Sequence, residues 1–194
     1  MTLRKGFVER KTNETDIKIE LNLDGDGIMQ GSSGIGFMDH MLELLARHGN
    51  MRLSIGVHGD YKVDDHHTVE DIGLCLGMAF QQALGDKKGI ARYASLALPM
   101  DEALILCAVD ISGRPGLYYD VNFSSEKIGQ FDSQLIEVFW QAFASTAKIT
   151  LHIRKLAGSN AHHIAEAVFK AAARILKGAI KVEGREIPSS KGVI

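Results

Sequence analysis

The amino-acid sequence predicts an α+β fold of two similar duplicated halves, each a small mixed β-sheet with helices packed on one face. Three observations predict it: segments of alternating hydrophobicity, longer segments with apolar residues at helical intervals, and the recurrence of both later in the chain. A chain of 194 residues suits one domain or two small halves. It can bury a core without disulfides or a structural metal, so a bound metal is expected to be functional.

The first half shows the predicted elements in order. Residues 16–23, DIKIELNL, alternate strictly and precede a DGDG turn, which indicates a half-buried strand. Residues 37–49 have helical spacing and end at Gly49. Residues 51–58 alternate again, and residues 66–85 place apolar side chains at helical intervals. The predicted order is strand, helix, strand, helix.

The second half repeats this pattern. At an offset of 96 residues, RLSIGV lies over KITLHI and HHTVE over HHIAE, which sets His152 against Gly56. The earlier strands match at an offset of 88, which sets Glu14 against Glu102. An internal duplication with a short insertion or deletion explains both offsets. We expect a single domain over 1–194, with halves at roughly 1–88 and 89–182 and a polar tail at 183–194 that is either ordered or loose.

Composition and charge exclude several classes of protein. The net charge of −2 disfavours a nucleic-acid-binding surface and favours small-molecule partners. No segment is long and apolar enough to span a membrane, and the N-terminus lacks a signal peptide. Cys75 and Cys107 lie in apolar segments, which indicates buried reduced thiols. We therefore expect a soluble cytoplasmic protein.

The segments DDHHTVED at 64–71 and NAHHIAEA at 160–167 share an HHxxE motif. On a helix, the first histidine and the glutamate four residues later share a face, whereas the second histidine points about 100° away. Each motif could therefore serve two metal ions. The motif residues are His66, His67 and Glu70 in the first half, and His162, His163 and Glu166 in the second.

Further histidines extend this set. His152 lies on the polar side of a strand, and His40 and His48 lie on nearly the same stripe of the first helix. The four motif histidines with His40 and His152, together with the two glutamates and without a thiolate, indicate Mn, Fe, Co or Zn. Ligand type alone does not choose between these metals. The acidic residues Asp64, Asp65 and Asp71 could offset the helix dipole, cap the helix or orient the imidazoles.

The residues alone leave open two classes of metal-binding protein that are unrelated in function. A metal-storage or metal-scaffold protein would saturate its ions with the same ligands. A dinuclear metallohydrolase would use a metal-bound water to cleave phosphate esters. An open coordination position on the ions would exclude the metal-storage protein.

Five motifs in order, GFMDHML, DDHHTVEDIG, PMDEAL with DISGRP, NAHHIAEA and PSSKG, resemble the imidazoleglycerol-phosphate dehydratase family along nearly the whole chain. The resemblance implies dehydration of imidazole glycerol phosphate to imidazole acetol phosphate in histidine biosynthesis. It also implies two Mn²⁺ per subunit, although other divalent metals could serve. The implied metal ligands are His40, His66, His67, Glu70, His152, His162, His163 and Glu166. Leu44 departs from the family, whose members often carry glutamine there.

The resemblance also implies roles in catalysis and substrate binding. The implied substrate-binding residues are Glu14, His48, Arg92, Arg114, Ser190 and Lys191, so that the C-terminal tail contributes to the substrate site. The catalytic carboxylates are Glu14, Glu70 and Glu166; Glu14 is the candidate base, with Glu102 or a metal-bound hydroxide as alternatives. Members of the family form trimers that unite into assemblies of about twenty-four subunits, so a large homo-oligomer is expected.

Overall fold

The computed structural model describes residues 4–194, so the first three residues of the predicted domain and of its first half lie outside the described residues. The first half contains β1 (Lys5–Lys11), β2 (Asp16–Asn22), β3 (Met29–Ser32), α1 (Gly36–Gly49), β4 (Arg52–His58) and α2 (His66–Leu84). The second contains β5 (Tyr93–Met100), β6 (Ala103–Asp110), β7 (Gly116–Asp120), a small hairpin of β8 (Lys127–Ile128) and β9 (Phe131–Asp132), α3 (Leu135–Ala147), β10 (Thr150–Ala157) and α4 (Ala161–Ala179).

The two halves have the same sheet topology. The first sheet has the order β1-β2-β4-β3 and the second the order β5-β6-β10-β7. In each sheet the first three strands pair antiparallel and the last strand pairs parallel. The prediction of a duplicated α+β fold with two mixed sheets is therefore confirmed.

The helices join the two halves. Helix α2 packs on β1 and β2, and α4 on β5 and β6, whereas α1 packs on α4 and α3 on α2. Two glycines permit the close approach of α2 and α3. A Cβ atom at Gly73 would lie 2.6 Å from the Phe139 carbonyl oxygen, and one at Gly77 would lie 2.5 Å from that of Phe143. Each half thus contributes one helix, α1 or α3, that packs against a helix of the other half.

Two strands of the first sheet were not predicted. The inward face of β1 includes Gly6, where a Cβ atom would collide with the Ala79 carbonyl oxygen of α2, so hydrophobic alternation is weak there. Strand β3 has four residues and is mostly exposed. A short exposed edge strand buries too little apolar surface to require alternating apolar and polar residues in its sequence.

The pairing registers correct one detail of the repeat. Glu20 pairs with Ser54 as Ala108 pairs with His152, so the first-half counterpart of His152 is Ser54 and not Gly56. The left-handed residues that end α1 and α3, Asn50 and Lys148, are also 98 positions apart. The helical motifs remain 96 apart because seven residues lie between His58 and His66, and only five lie between their counterparts Leu156 and His162.

The C-terminal tail is ordered against the start of the second half. The Gly89 amide donates to the Glu186 carbonyl, and the Glu183 amide donates to the Gly89 carbonyl.

Both cysteines are buried free thiols, and burial raises the pKa of Cys75 to about 11 and that of Cys107 to about 12. Across residues 4–194, none of the helices has the length and apolar character needed to cross a membrane.

Candidate functional site

Three metal-ligating side chains converge where α1 meets α4. Nε2 of His40 and Nε2 of His162 each lie 3.0 Å from the same oxygen, Oε1 of Glu166. One ligand atom from each residue lies within 4.8 Å of the others. In the described part of the chain, this is the one group of three such donors that meets this distance. The predicted helical pairing of His162 with Glu166 is present, and α1 adds His40 to it.

A lysine on α4 contacts this cluster. Nζ of Lys170 donates to the second oxygen of Glu166 at 2.5 Å. Burial opposes ionisation of Glu166, but hydrogen bonds from Lys170, His40 and His162 outweigh it and lower the pKa of Glu166 to about 2. The carboxylate therefore stays charged at neutral pH. On the same helix pair, burial and the charges of Lys170 and Arg174 lower the pKa of His48.

The second histidine of the first motif contacts two carboxylates. Nδ1 of His67 lies 2.9 Å from Oδ2 of Asp60, and its Nε2 lies 3.9 Å from Oε1 of Glu14. The hydrogen bond to Asp60, assisted by the charge of Glu14, raises the pKa of His67. Glu14 itself is exposed in the turn between β1 and β2.

The corresponding histidine of the second motif has a similar environment. Nδ1 of His163 lies 2.7 Å from Oε2 of Glu102, which follows β5 in the turn to β6. The other oxygen of Glu102 accepts from the Asn160 amide at 2.8 Å and from the Ser159 amide at 3.3 Å. These hydrogen bonds, that from His163 first, lower the pKa of Glu102 to about 2. Both oxygens of Glu102 are therefore engaged.

A side chain two residues before the first motif histidine accepts from its backbone amide in both halves. Oδ1 of Asn160 accepts from the amides of His162 and His163, and Oδ1 of Asp64 accepts from the amide of His66. Asp65 makes no capping hydrogen bond. Asp71 is buried and pairs instead with Arg10 and Thr15, so it ties the hairpin of β1 and β2 to α2 and does not contact an imidazole.

The other predicted ligands do not join the cluster within one chain. His66 and Glu70 are exposed on α2, and His152 is exposed on β10, where its ring stacks on Tyr118 at 4.4 Å between centroids. At the offset of 98 that relates α1 to α3, the counterpart of His40 is Val138. Because valine offers no ligand atom, the first motif lacks the third donor that α1 supplies to the second.

The predicted phosphate-binding residues gather at the end of β6. Nε of Arg92 donates to Asp110 at 2.8 Å, and one terminal nitrogen of Arg92 donates to the Pro188 carbonyl at 2.8 Å. Arg114 is exposed, with a terminal nitrogen 3.8 Å from Asp110. Ser190 and Lys191 are exposed in the tail that Arg92 holds. The hydrogen bond to Asp110 raises the pKa of Arg92.

This basic group lies far from the histidine cluster of the same chain. The Arg92 amide donates to the Ala179 carbonyl at the C-terminal end of α4, whereas Glu166 lies near the N-terminal end. At 1.5 Å per residue, the helix separates these two points by roughly 20 Å. One chain therefore does not bring the predicted phosphate-binding residues to its own cluster.

Three side chains at these sites were not predicted from the sequence. Lys170 binds Glu166, Asp60 binds His67, and Asp110 binds Arg92. Lys170 could have been found, because it follows Glu166 by four residues on a helix. Asp60 lies in the loop after β4 and Asp110 at the end of β6, where the local sequence carries no comparable signal.

The fold and the site define a duplicated α+β protein with histidine and carboxylate groups suited to divalent metals. The family model of imidazoleglycerol-phosphate dehydratase matches residues 33–176. The chain belongs to this family.

Relatives and solved structures match all or nearly all of the chain. The imidazoleglycerol-phosphate dehydratase of Caldicellulosiruptor saccharolyticus is 53% identical over 194 residues, which cover 100% of both chains. The crystal structure of the Staphylococcus aureus enzyme has a TM-score of 0.84 at 38% identity and covers 92% of this chain and 99% of its own. That of the Pyrococcus furiosus enzyme has a TM-score of 0.82 at 36% identity, with 96% and 100% covered.

Proposed function

We propose that this chain, by its family a lyase that dehydrates imidazole glycerol phosphate in histidine biosynthesis, performs the reaction with two divalent metal ions, Mn²⁺ foremost, held by the HHxxE motifs. The observation that carries this proposal is the convergence of His40 and His162 on one oxygen of the buried Glu166. Two imidazoles and an ionised carboxylate suit the borderline divalent metals.

The bound ions would act as Lewis acids that favour the deprotonated, electron-rich imidazolate form of the substrate ring, and this form can expel the hydroxyl group from the adjacent carbon. In the second motif, His40, His162 and Glu166 would hold one ion. Glu166 is suited to this because it stays charged while nearly buried. In the first motif, His66 and Glu70 would hold the other, with His67, His152 and His163 completing the two sites.

Glu14 is the favoured base for the carbon-bound proton. Its carboxylate lies 3.9 Å from Nε2 of His67 and is otherwise exposed, so it can approach a substrate bound beside that ring. Glu102 is disfavoured because its two oxygens already accept hydrogen bonds from His163 and the backbone, which hold its pKa at about 2. A carboxylate so stabilised is a weak proton acceptor.

Arg92, Arg114, Ser190 and Lys191 would bind the phosphate group. Arg92 uses three of its five N–H donors on Asp110 and Pro188, which leaves two for a phosphate oxygen. Arg114 and Lys191 are exposed and cationic, as a phosphate site requires. His48 would add a donor from α1, where it lies beside the charges of Lys170 and Arg174.

A complete site would then form between subunits. Three observations support sites that are built from residues of more than one chain. The first motif lacks a third ligand, and His152 is exposed. Along α4, roughly 20 Å separates the basic group from the histidine cluster. Self-association into a large homo-oligomer, built from trimers into about twenty-four subunits, would supply the residues from other chains. A reducing cytoplasm is the proposed compartment, and the two buried free thiols fit it.

The decisive experiment is direct. Protein stripped of metal is incubated with imidazole glycerol phosphate, with and without added Mn²⁺, and imidazole acetol phosphate is measured. We expect product only with metal. Full activity in verified metal-free protein would refute the metal part of the proposal, and no product under either condition would refute the function.

A further inference from the structure

The second histidine of each motif is held by a carboxylate at the same ring atom. Nδ1 of His67 lies 2.9 Å from Asp60, and Nδ1 of His163 lies 2.7 Å from Glu102. The Nε2 atoms have only longer contacts, 3.9 Å to Glu14 and 3.7 Å to Asp101. In both rings the hydrogen bond is made by Nδ1, and Nε2 remains available.

This arrangement determines what each ring can do. A neutral imidazole carries one proton, and a carboxylate bound at Nδ1 keeps the proton there, so Nε2 presents its lone pair. Such a carboxylate also fixes the plane of the ring. Both effects favour a ligand for a divalent ion.

The two carboxylates come from different parts of the repeat. Glu102 lies in the hairpin turn of the second half, which corresponds to the turn that carries Glu14 in the first. Asp60 instead lies in the loop between β4 and α2, which has seven residues where its counterpart has three. The longer loop thus supplies a carboxylate that the shorter one lacks.

We infer that Asp60 and Glu102 are positioning residues for His67 and His163. In the first half, Asp60 orients the histidine in place of the hairpin carboxylate Glu14, which therefore remains free to act as the base. In the second half the hairpin carboxylate is used to orient a histidine. In the first half, Glu14 at the same position lies near His67 but does not bind its Nδ1 atom. The inference rests on the proposed function, because it treats His67 as a metal ligand and Glu14 as the base.

Asp60 allows a cleaner test than Glu102, because Glu102 also accepts two backbone amides. Asp60→Ala removes the acceptor, whereas Asp60→Asn keeps a carbonyl oxygen that can accept from Nδ1. Asp86→Ala is the matched control, since Asp86 is exposed and its side chain binds only Lys88. The affinity of each full-length protein for Mn²⁺ is measured by equilibrium dialysis with metal analysis.

We expect Asp60→Ala to weaken Mn²⁺ binding about 10- to 100-fold, the usual effect of losing a carboxylate behind a histidine ligand. Asp60→Asn should remain closer to the wild type than to Asp60→Ala, and Asp86→Ala should match the wild type. Equal affinity of Asp60→Ala and the wild type would overturn the inference. So would equal losses in Asp60→Asn and Asp60→Ala.

A second measurement needs no metal. In metal-free protein labelled with ¹⁵N-histidine, NMR should find the neutral His67 ring protonated at Nδ1 in the wild type and shifted toward the Nε2–H form in Asp60→Ala. An unchanged proton position would contradict the inference. If the wild type itself fails to bind Mn²⁺, the proposed function fails, which is a different result from wild-type affinity in Asp60→Ala.

Discussion

Arg92 ties the C-terminal tail to the second sheet through one hydrogen bond, from its terminal nitrogen to the Pro188 carbonyl at 2.8 Å. Asp110 fixes the other side of the same guanidinium. The arginine thereby places the tail residues Ser190 and Lys191 on the side of the molecule that carries Arg114. Under the proposed function, this side chain links substrate binding to the position of Ser190 and Lys191.

Arg92→Ala is expected to raise the KM for imidazole glycerol phosphate by about 10- to 100-fold, because a hydrogen-bonded charge contributes about 1.5–3 kcal/mol. The kcat should change much less. Steady-state kinetics provides the measurement, and Arg154→Ala, which removes only the exposed pair with Asp120, provides the control. An equal loss of affinity for a phosphate-free analogue would show that Arg92 does not hold the phosphate.

Glu14→Gln is expected to lower kcat by about 10²- to 10⁴-fold, because the amide cannot accept the proton that a general base removes. Metal content should be unchanged, since Glu14 is not among the proposed ligands. Glu20→Gln, on the exposed face of β2, is the control. Loss of metal in Glu14→Gln would instead make Glu14 a ligand.

The acid stability of the metal-free protein should depend on Glu166. Its pKa lies at about 2 in the folded chain, below its ordinary value of 4.5, so its charge stabilises the fold above pH 4.5. That contribution is lost as the pH falls from 4.5 toward 2. Urea unfolding across this range should show a steeper loss of stability in the wild type than in Glu166→Gln. Parallel curves would mean that Glu166 titrates normally.

Gly73→Ala should destabilise the fold by about 1–3 kcal/mol, the usual cost of overpacking. The added methyl group would lie 2.6 Å from the Phe139 carbonyl oxygen and would separate α2 from α3. Gly56→Ala is the control, because nothing lies within 4 Å of its Cβ position. Denaturant unfolding measures both, and equal stabilities would show that the helices adjust without cost.

Removal of metal should reduce the size of the assembly. Ions that bind only between subunits stabilise the assembled state by mass action. Light scattering coupled to size exclusion should therefore find small inactive oligomers after chelation, and Mn²⁺ should restore size and activity together. An unchanged mass after verified metal loss would exclude sites shared between subunits.

The duplicated fold and the paired motifs could be predicted because they are repeated and local. Alternation, helical spacing and HHxxE each lie within one element, and the repeat makes coincidence improbable. The residues that complete each group are distant in sequence. His40 reaches Glu166 from another helix, and Val138 replaces it in the repeat, so neither the cluster nor its asymmetry follows from spacing.

Other features had no local signal. Strand β1 buries a glycine where most strands bury an apolar side chain, and β3 has four mostly exposed residues. The two-residue difference between the strand and helix offsets became evident only from paired registers. Hydrogen bonding between strands determines register, and sequence similarity over six residues does not resolve it.

The packing of α1 on α4 and of α3 on α2 makes the halves dependent on each other for folding. A half-length polypeptide would leave two apolar helix faces in water, where its single sheet could not cover them. It would gain a core by associating with a second copy and exchanging helices with it. In the full-length protein the two halves make these contacts within a single polypeptide, so they are expected to unfold in one cooperative transition.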